Sequence, residues 1–155
     1  MSKSLKRVRA ALEAAGVTPD IREVGQARTA AEAADAVGCH LDQIAKSIIF
    51  RGARSGEAVL FLTAGGNQVD PVRASELAGE ALGKADAALI RAQTGFAIGG
   101  VAPIGHLSPI RAWLDPRLLE FTEIWAAAGT PRHVFPLNSA LLEKITGAQA
   151  SDFTC

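Results

Sequence analysis

One lysine in apolar surroundings is the first residue whose type could do chemistry. Lys46 heads the run Lys46-Ser-Ile-Ile-Phe-Arg51, which is β-branched and aromatic and therefore reads as a strand. A lysine at that place either snorkels to water along its aliphatic stem or aims its ammonium into a pocket. A partly desolvated ammonium beside a substrate can hold an anionic or carbonyl group. The second feature is Gly95-Phe-Ala-Ile-Gly-Gly-Val-Ala-Pro-Ile-Gly105, which contains the pattern Gly99-x-x-x-Pro103. Glycines reach backbone conformations that other residues avoid, so several N–H groups can turn toward one point. Such a nest binds an anion, or the oxyanion that develops when water attacks an ester. The alternative is a plain glycine-rich turn. The segment is not a P-loop, because no Gly-Lys-Ser/Thr follows, and it does not match GxGxxG.

Other nucleophiles are poorly supported. There is no GxSxG elbow. Ser47 follows Lys46 directly, but strand neighbours face opposite ways, which disfavours a Ser–Lys dyad. The two cysteines, Cys39 and Cys155, form no CxxC, so neither a disulfide framework nor a zinc site is expected. His40, His106 and His133 are scattered, and adjacent Cys39 and His40 rarely converge on one ion; they read as a loop or helix end. No metal and no cofactor is expected.

These residues need elements to position them. Leu5, Val8, Leu12 and Ala15 share one face of a helix over residues 4–15, ended by Gly16. Residues 20–24 alternate as a strand. Thr29-Ala-Ala-Glu32 is a capping box that opens a helix through Val37, with Gly38 as its stop. Residues 41–45 read as a helical turn leading into the Lys46 strand. A hairpin follows, turning over 52–56 and returning over 58–63. Asp70-Pro71 opens a helix over 71–78, since proline suits the first helical position. Another helix spans 86–93. Within the glycine-rich segment, Phe96–Ile98 reads as a short strand. Strands are expected at 110–114, 122–126 and 133–137, with a helical turn at Asp115-Pro116 and a last helix over 139–145 capped by Asn138. Strands outnumber those of a regular β-α-β alternation, and several connections are hairpin-sized. The fold class is therefore α+β, a mixed, largely antiparallel sheet with helices packed around it.

The bulk composition bounds the function. The 155 residues match one domain, 1–155, and 48% of them are apolar, enough for a core without disulfides or metals. No apolar run approaches the ~20 residues of a membrane span. The basic amino end lacks the apolar region and cleavage site of a signal peptide, so a cytoplasmic location is expected. The formal net charge is zero. A nucleic-acid partner would then be held weakly, through a local patch, or with help from another protein.

Read in order, Thr29–Gly38, Gln43-Ile-Ala-Lys46-Ser-Ile-Ile-Phe50, Gly95–His106, Glu123-Ile-Trp-Ala-Ala-Ala-Gly-Thr130 and Leu141–Gly147 resemble the YbaK and prolyl-tRNA-synthetase-associated domain family. The likeness runs from about residue 4 to 152. It implies a compact α+β fold with a curved mixed sheet. It also implies trans-editing, the hydrolysis of mischarged aminoacyl-tRNA, often tRNA for proline, by a free-standing domain that could work beside prolyl-tRNA synthetase. The long loop segments are more similar to the ProX-type deacylases than to the cysteine-editing enzymes. On this resemblance Lys46 matches the functional lysine, and Gly99, Gly100, Val101, Ala102 and Pro103 match the substrate loop. Lys46, Gly99 and Gly100 are the expected catalytic positions. Val101, Ala102, Pro103, Ala128, Gly129, Thr130 and His133 are the expected substrate-binding ones. The physical demand is clear: one methylene is worth only about 1–3 kcal/mol of discrimination, so a second, hydrolytic site restores fidelity. The residues alone leave two alternatives, a non-catalytic nucleotide or tRNA binding module and a regulatory partner of a synthetase that keeps the fold without the chemistry.

Overall fold

The computed structural model describes residues 2–155. Five helices surround one eight-stranded sheet among these residues. The helices are α1 (Lys3–Ala14), α2 (Ala30–Val37), α3 (Pro71–Ala78), α4 (Ala87–Thr94) and α5 (Ser139–Thr146). The strands are β1 (Arg22–Glu23), β2 (Ile44–Gly52), β3 (Ala58–Ala64), β4 (Leu82–Lys84), β5 (Arg111–Leu114), β6 (Glu123–Ala127), β7 (His133–Asn138) and β8 (Gln149–Ala150). The expected α+β class holds.

Local chemistry sets the helix starts. The side chains of Ser2, Thr29, Asp70, Asp86 and Asn138 each accept a hydrogen bond from a backbone N–H of the first turn. Each satisfies a donor that the helix itself leaves unpaired. The main differences from the sequence reading are at short elements. Phe96–Ile98 is not a strand. Gly95 ends α4, and the Phe96 N–H donates to Thr94 Oγ1 rather than to a neighbouring strand. The chain then makes a tight turn in which the Gly100 N–H donates to the Ala97 carbonyl at 3.0 Å. Strands β4 and β8 carry no alternation long enough to read. The turn at 41–45 is a 3-10 turn over Leu41–Gln43, capped by the His40 ring, and β2 already begins at Ile44.

The sheet order is β1-β7-β6-β2-β3-β5-β8, with β4 attached to β2 off this path. Pairing is antiparallel for β1–β7, β6–β7, β2–β3 and β2–β4, and parallel for β2–β6, β3–β5 and β5–β8. Central β3 is buried along its whole length, as expected of a strand covered on both faces. On one face Leu60, Leu62, Ile124, Phe135 and Leu137 pack against α1, α5 and the glycine-rich loop, through Leu5, Val8, Leu12, Leu142, Phe96 and Ile104. On the other face Phe61 stacks on Trp113 with ring centroids 4.9 Å apart and meets Phe153 edge-on at 4.9 Å.

The loop from Gly95 to His106 is tied down from both ends. Arg7 on α1 donates from Nε to the Gly105 carbonyl (2.9 Å) and from Nη2 to the Gly95 carbonyl (2.7 Å). Its guanidinium lies over the Phe96 ring at 4.5 Å, so charge and stacking act together. His106 donates from Nε2 to the Ala102 carbonyl at 2.7 Å.

Two expectations follow from this packing. Phe61→Ala removes a fully buried ring and should cost about 3–5 kcal/mol in urea unfolding; a loss under about 1 kcal/mol would mean that this aromatic layer does not hold the sheet. Burial holds the His106 imidazole below its ordinary value, with the Ala102 carbonyl opposing and Arg7 adding to the shift. The unfolded chain therefore binds the proton more readily. The contribution of His106 is fully present above about pH 6.5 and is lost as pH falls through the lowered folded value. Urea midpoints should drop on acidification below that pH, and less steeply for His106→Gln; identical slopes would contradict this.

Candidate functional site

Strand β2 changes neighbours along its length. Its β3 side is paired from Ala45 to Arg51. On the other side β6 pairs only with Ile44 and Ala45, and β4 only with Phe50, Arg51 and Gly52. Between these two ladders, Lys46, Ser47, Ile48 and Ile49 have no strand partner. The register fixes which groups face this gap. The Gly52 N–H donates to the Glu57 carbonyl, so even-numbered residues of β2 bond toward β3. The Ala53 N–H donates to the Ala81 carbonyl, so odd-numbered residues bond the other way. The N–H and C=O of Ser47 and Ile49 therefore point into the gap.

A cleft of about 480 Å³ occupies it. Its walls are β2 on one side and Trp125, Ala126 and Ala127 of β6 on the other. The glycine-rich loop contributes Ile98, Gly99 and Val101, and the β6–β7 connection contributes Thr130 and Pro131. Of the residues expected from the sequence, Lys46, Gly99, Val101, Thr130 and His133 line this one cleft. Gly100, Ala102, Pro103, Ala128 and Gly129 do not: they are buried and form the backing of the wall.

The loop and the β6–β7 connection touch too closely for side chains. A Cβ on Gly100 would lie 2.6 Å from the carbonyl carbon of Thr130 and 2.7 Å from its Cα. Gly99 sits at φ +86°, a conformation that favours glycine, and this lets the loop turn over the cleft. The Gly100 N–H is already used within that turn. Among the described residues, the N–H groups of Gly99, Val101 and Ala102 donate to no protein group. Val101 and Ala102 are both buried residues, and Val101 lines the cleft.

Lys46 is anchored by a polar chain on the other flank. Its Nζ donates to the Asn67 carbonyl at 2.6 Å. The Asn67 side chain donates to the buried carboxylate of Asp115 at 2.9 Å, and Asp115 also accepts from the Ala64 and Arg117 N–H groups. Arg117 pairs with Asp42 at 2.9 Å, and Asp42 accepts from the Gly66 N–H. This chain fixes the Gly65–Asn67 turn and with it the lysine. Burial pushes the Lys46 ammonium below its ordinary value, and the carboxylates of Asp115 and Asp42 oppose the shift. An ammonium has three donors, and two of them remain without a protein acceptor. At the opposite wall the Thr130 hydroxyl lies 2.6 Å from His133 Nδ1 and holds the imidazole in place.

The charged side chains lining the cleft are Arg28, Lys46 and Lys84, with no Asp or Glu among the described lining residues. This suits a phosphate-bearing ligand despite the net charge of zero. The described residues hold no cluster of three or more groups able to bind a metal. No helix of the described residues is long and apolar enough to cross a membrane. Sequence reasoning missed the Asp115 network, because Asp115 reads only as a helix cap. It also set Ser47 aside. The only signal there was a hydroxyl within an apolar strand.

Comparison with known proteins identifies the family. The aminoacyl-tRNA editing domain family matches residues 24–145. The uncharacterized protein YwhH of Bacillus subtilis is 30% identical over 126 residues, which cover 81% of this chain and 74% of that protein. A crystal structure described as a candidate trans-editing enzyme for prolyl-tRNA synthetase is 44% identical, with a TM-score of 0.92 over 100% of this chain and 99% of the other. The hypothetical protein APE2540 is 25% identical, with a TM-score of 0.87 over 96% and 99%. A loop and a lysine set on either side of a gap in the sheet, and a family match spanning most of the chain, lead to one conclusion: the chain belongs to the aminoacyl-tRNA editing domain family.

Proposed function

We propose that the protein hydrolyses the ester of mischarged aminoacyl-tRNA, acting in trans on tRNA for proline that carries a small non-cognate amino acid. One observation carries the reading: one cleft brings together a partly desolvated ammonium and a loop with an unpaired backbone donor. The likeness to a candidate trans-editing enzyme for prolyl-tRNA synthetase supports the choice of tRNA. Prolyl-tRNA synthetase is the enzyme beside which such a domain would act.

In this reading the terminal nucleotide lies toward Lys46, whose free donors hold its phosphate or ribose oxygens. The ester carbonyl meets the N–H group of Val101 on the cleft wall. Water attacks the carbonyl carbon, and the negative charge that develops on oxygen is stabilised by that donor. The bond to the ribose oxygen then breaks and that oxygen takes a proton, releasing the amino acid and a tRNA with a free hydroxyl. His133, oriented by Thr130, is the imidazole on the cleft wall that can accept a proton from the attacking water. Gly99 and Gly100 act through the shape they give the loop. Ala128, Gly129 and Pro103 support the wall behind the aminoacyl seat.

Single-turnover deacylation of a panel of mischarged tRNAs tests this. At least one ester should be cleaved, and Lys46→Ala should lose most of the rate while remaining folded. Gly100→Ala forces the loop away from Thr130 and should lose about one to three orders of magnitude, the range for one misaligned donor. Full rates in both folded variants would place the chemistry elsewhere. If the wild-type protein left every ester intact, the cleft would be a binding site only.

A further inference from the structure

The gap beside β2 offers hydrogen-bonding groups that the mechanism above does not use. The carbonyls of Ser47 and Ile49 face it without strand partners. The Ser47 hydroxyl is buried and has no partner either. Ser47 lines the cleft with Ala45, Ile49 and Val101, and its hydroxyl, which has no exposed surface, is a lone polar side-chain group in an apolar stretch. Backbone and side-chain polar groups left unpaired in such a place are uncommon, because each forfeits the hydrogen bonds it would make in water.

An aminoacyl ester has two polar groups at its reacting end. Its carbonyl oxygen is an acceptor, and its α-amino group is a donor. The loop supplies an unpaired donor at Val101, and the β2 edge supplies the unpaired carbonyls of Ser47 and Ile49 alongside their N–H groups. Val101, Ser47 and Ile49 all line one cleft. We propose that the open edge of β2, through the Ser47 carbonyl and hydroxyl and the Ile49 carbonyl, recognises the free α-amino group of the aminoacyl ester. This inference rests on the reading of the cleft as an aminoacyl-ester site. Arg28, Lys46 and Lys84 and the lack of a lining carboxylate favour the neutral amine over its cation, and the neutral amine donates two hydrogen bonds. The site thereby selects esters with a free amine and rejects those whose nitrogen is acylated, as at the end of a growing peptide. Strand edges bind extended chains in this way, by main-chain pairing.

The test uses three forms of the panel's best tRNA ester: the free amine, the same ester with hydroxyl in place of the amine, and its N-acetyl form. Half-saturation and maximal single-turnover rate are measured for wild type and Ser47→Ala. Wild type should require at least about tenfold more enzyme for half-saturation with the hydroxy ester, the factor expected for losing hydrogen bonds in a dry site. The N-acetyl ester should not be cleaved. Ser47→Ala should bind the amino ester more weakly and bring the two unacylated esters closer to equality. Affinities for amide-linked, non-hydrolysable aminoacyl- and hydroxyacyl-adenosine are measured in parallel by calorimetry. They decide the matter even if no ester is hydrolysed, so failure of the deacylase reading and failure of this one are distinguishable. Equal treatment of amine and hydroxyl by wild type, or undiminished discrimination in Ser47→Ala, would overturn the proposal.

Discussion

Backbone hydrogen bonds in a sheet must be satisfied or exposed, and in this molecule β2 leaves a four-residue stretch of one edge unpaired in the middle of the sheet. β6 runs parallel to it for two residues and then diverges, and β4 joins only at the far end. A closed ladder would have filled the space that the cleft occupies. Beyond the paired residues, β6 leads into a crowded contact outside the sheet. After Ala127 the chain turns through Gly129, at φ +95°, where a Cβ would press on the Ser4 carbonyl of α1 at 2.9 Å and on the Phe96 ring at 3.1 Å. Helix α1, the loop from Gly95 to His106 and the β6–β7 connection thus share one crowded contact.

The two walls of the cleft are stiffened by different physics. The loop wall is held by Arg7, which bonds both ends of the loop and stacks on Phe96, and by the His106 hydrogen bond near its exit. The Lys46 wall is held by a buried carboxylate. Asp115 accepts three hydrogen bonds and pins the Asn67 turn to which the lysine donates. A carboxylate so deeply buried is tolerable only when its lone pairs are filled, and here they are filled by the Ala64 and Arg117 N–H groups and the Asn67 side chain. Both walls are therefore braced by contacts within the protein, the kind of support that pre-organised donors need to stabilise developing charge.

Much of this was legible in the chain. Thr29 with Glu32, Asp70 before Pro71, and Asn138 announce helix starts by chemistry that acts over three residues, and the structure keeps all three. Lys46 in an apolar strand and the Gly99-x-x-x-Pro103 pattern marked the two walls. Three things were not legible, because they depend on contacts far apart in sequence. Phe96 looked like strand but is pulled into the core beneath Arg7, 89 residues upstream. Asp115 looked like a cap and is also the anchor of the Lys46 wall. Ser47 was set aside as facing away from Lys46, which is correct for the pleat, yet the gap in the sheet is lined by both residues. A pairing ladder that stops short leaves no mark on the strand that loses its partner.

The account stands or falls on where an aminoacyl group sits. A crystal structure with an amide-linked aminoacyl-adenosine tests this most directly. It should show the aminoacyl group between β2 and β6, the carbonyl oxygen within hydrogen-bond distance of the Val101 N–H group, and the adenosine toward Lys46. An aminoacyl group bound outside this gap, or a gap closed by continued β2–β6 pairing with the ligand elsewhere, would contradict it.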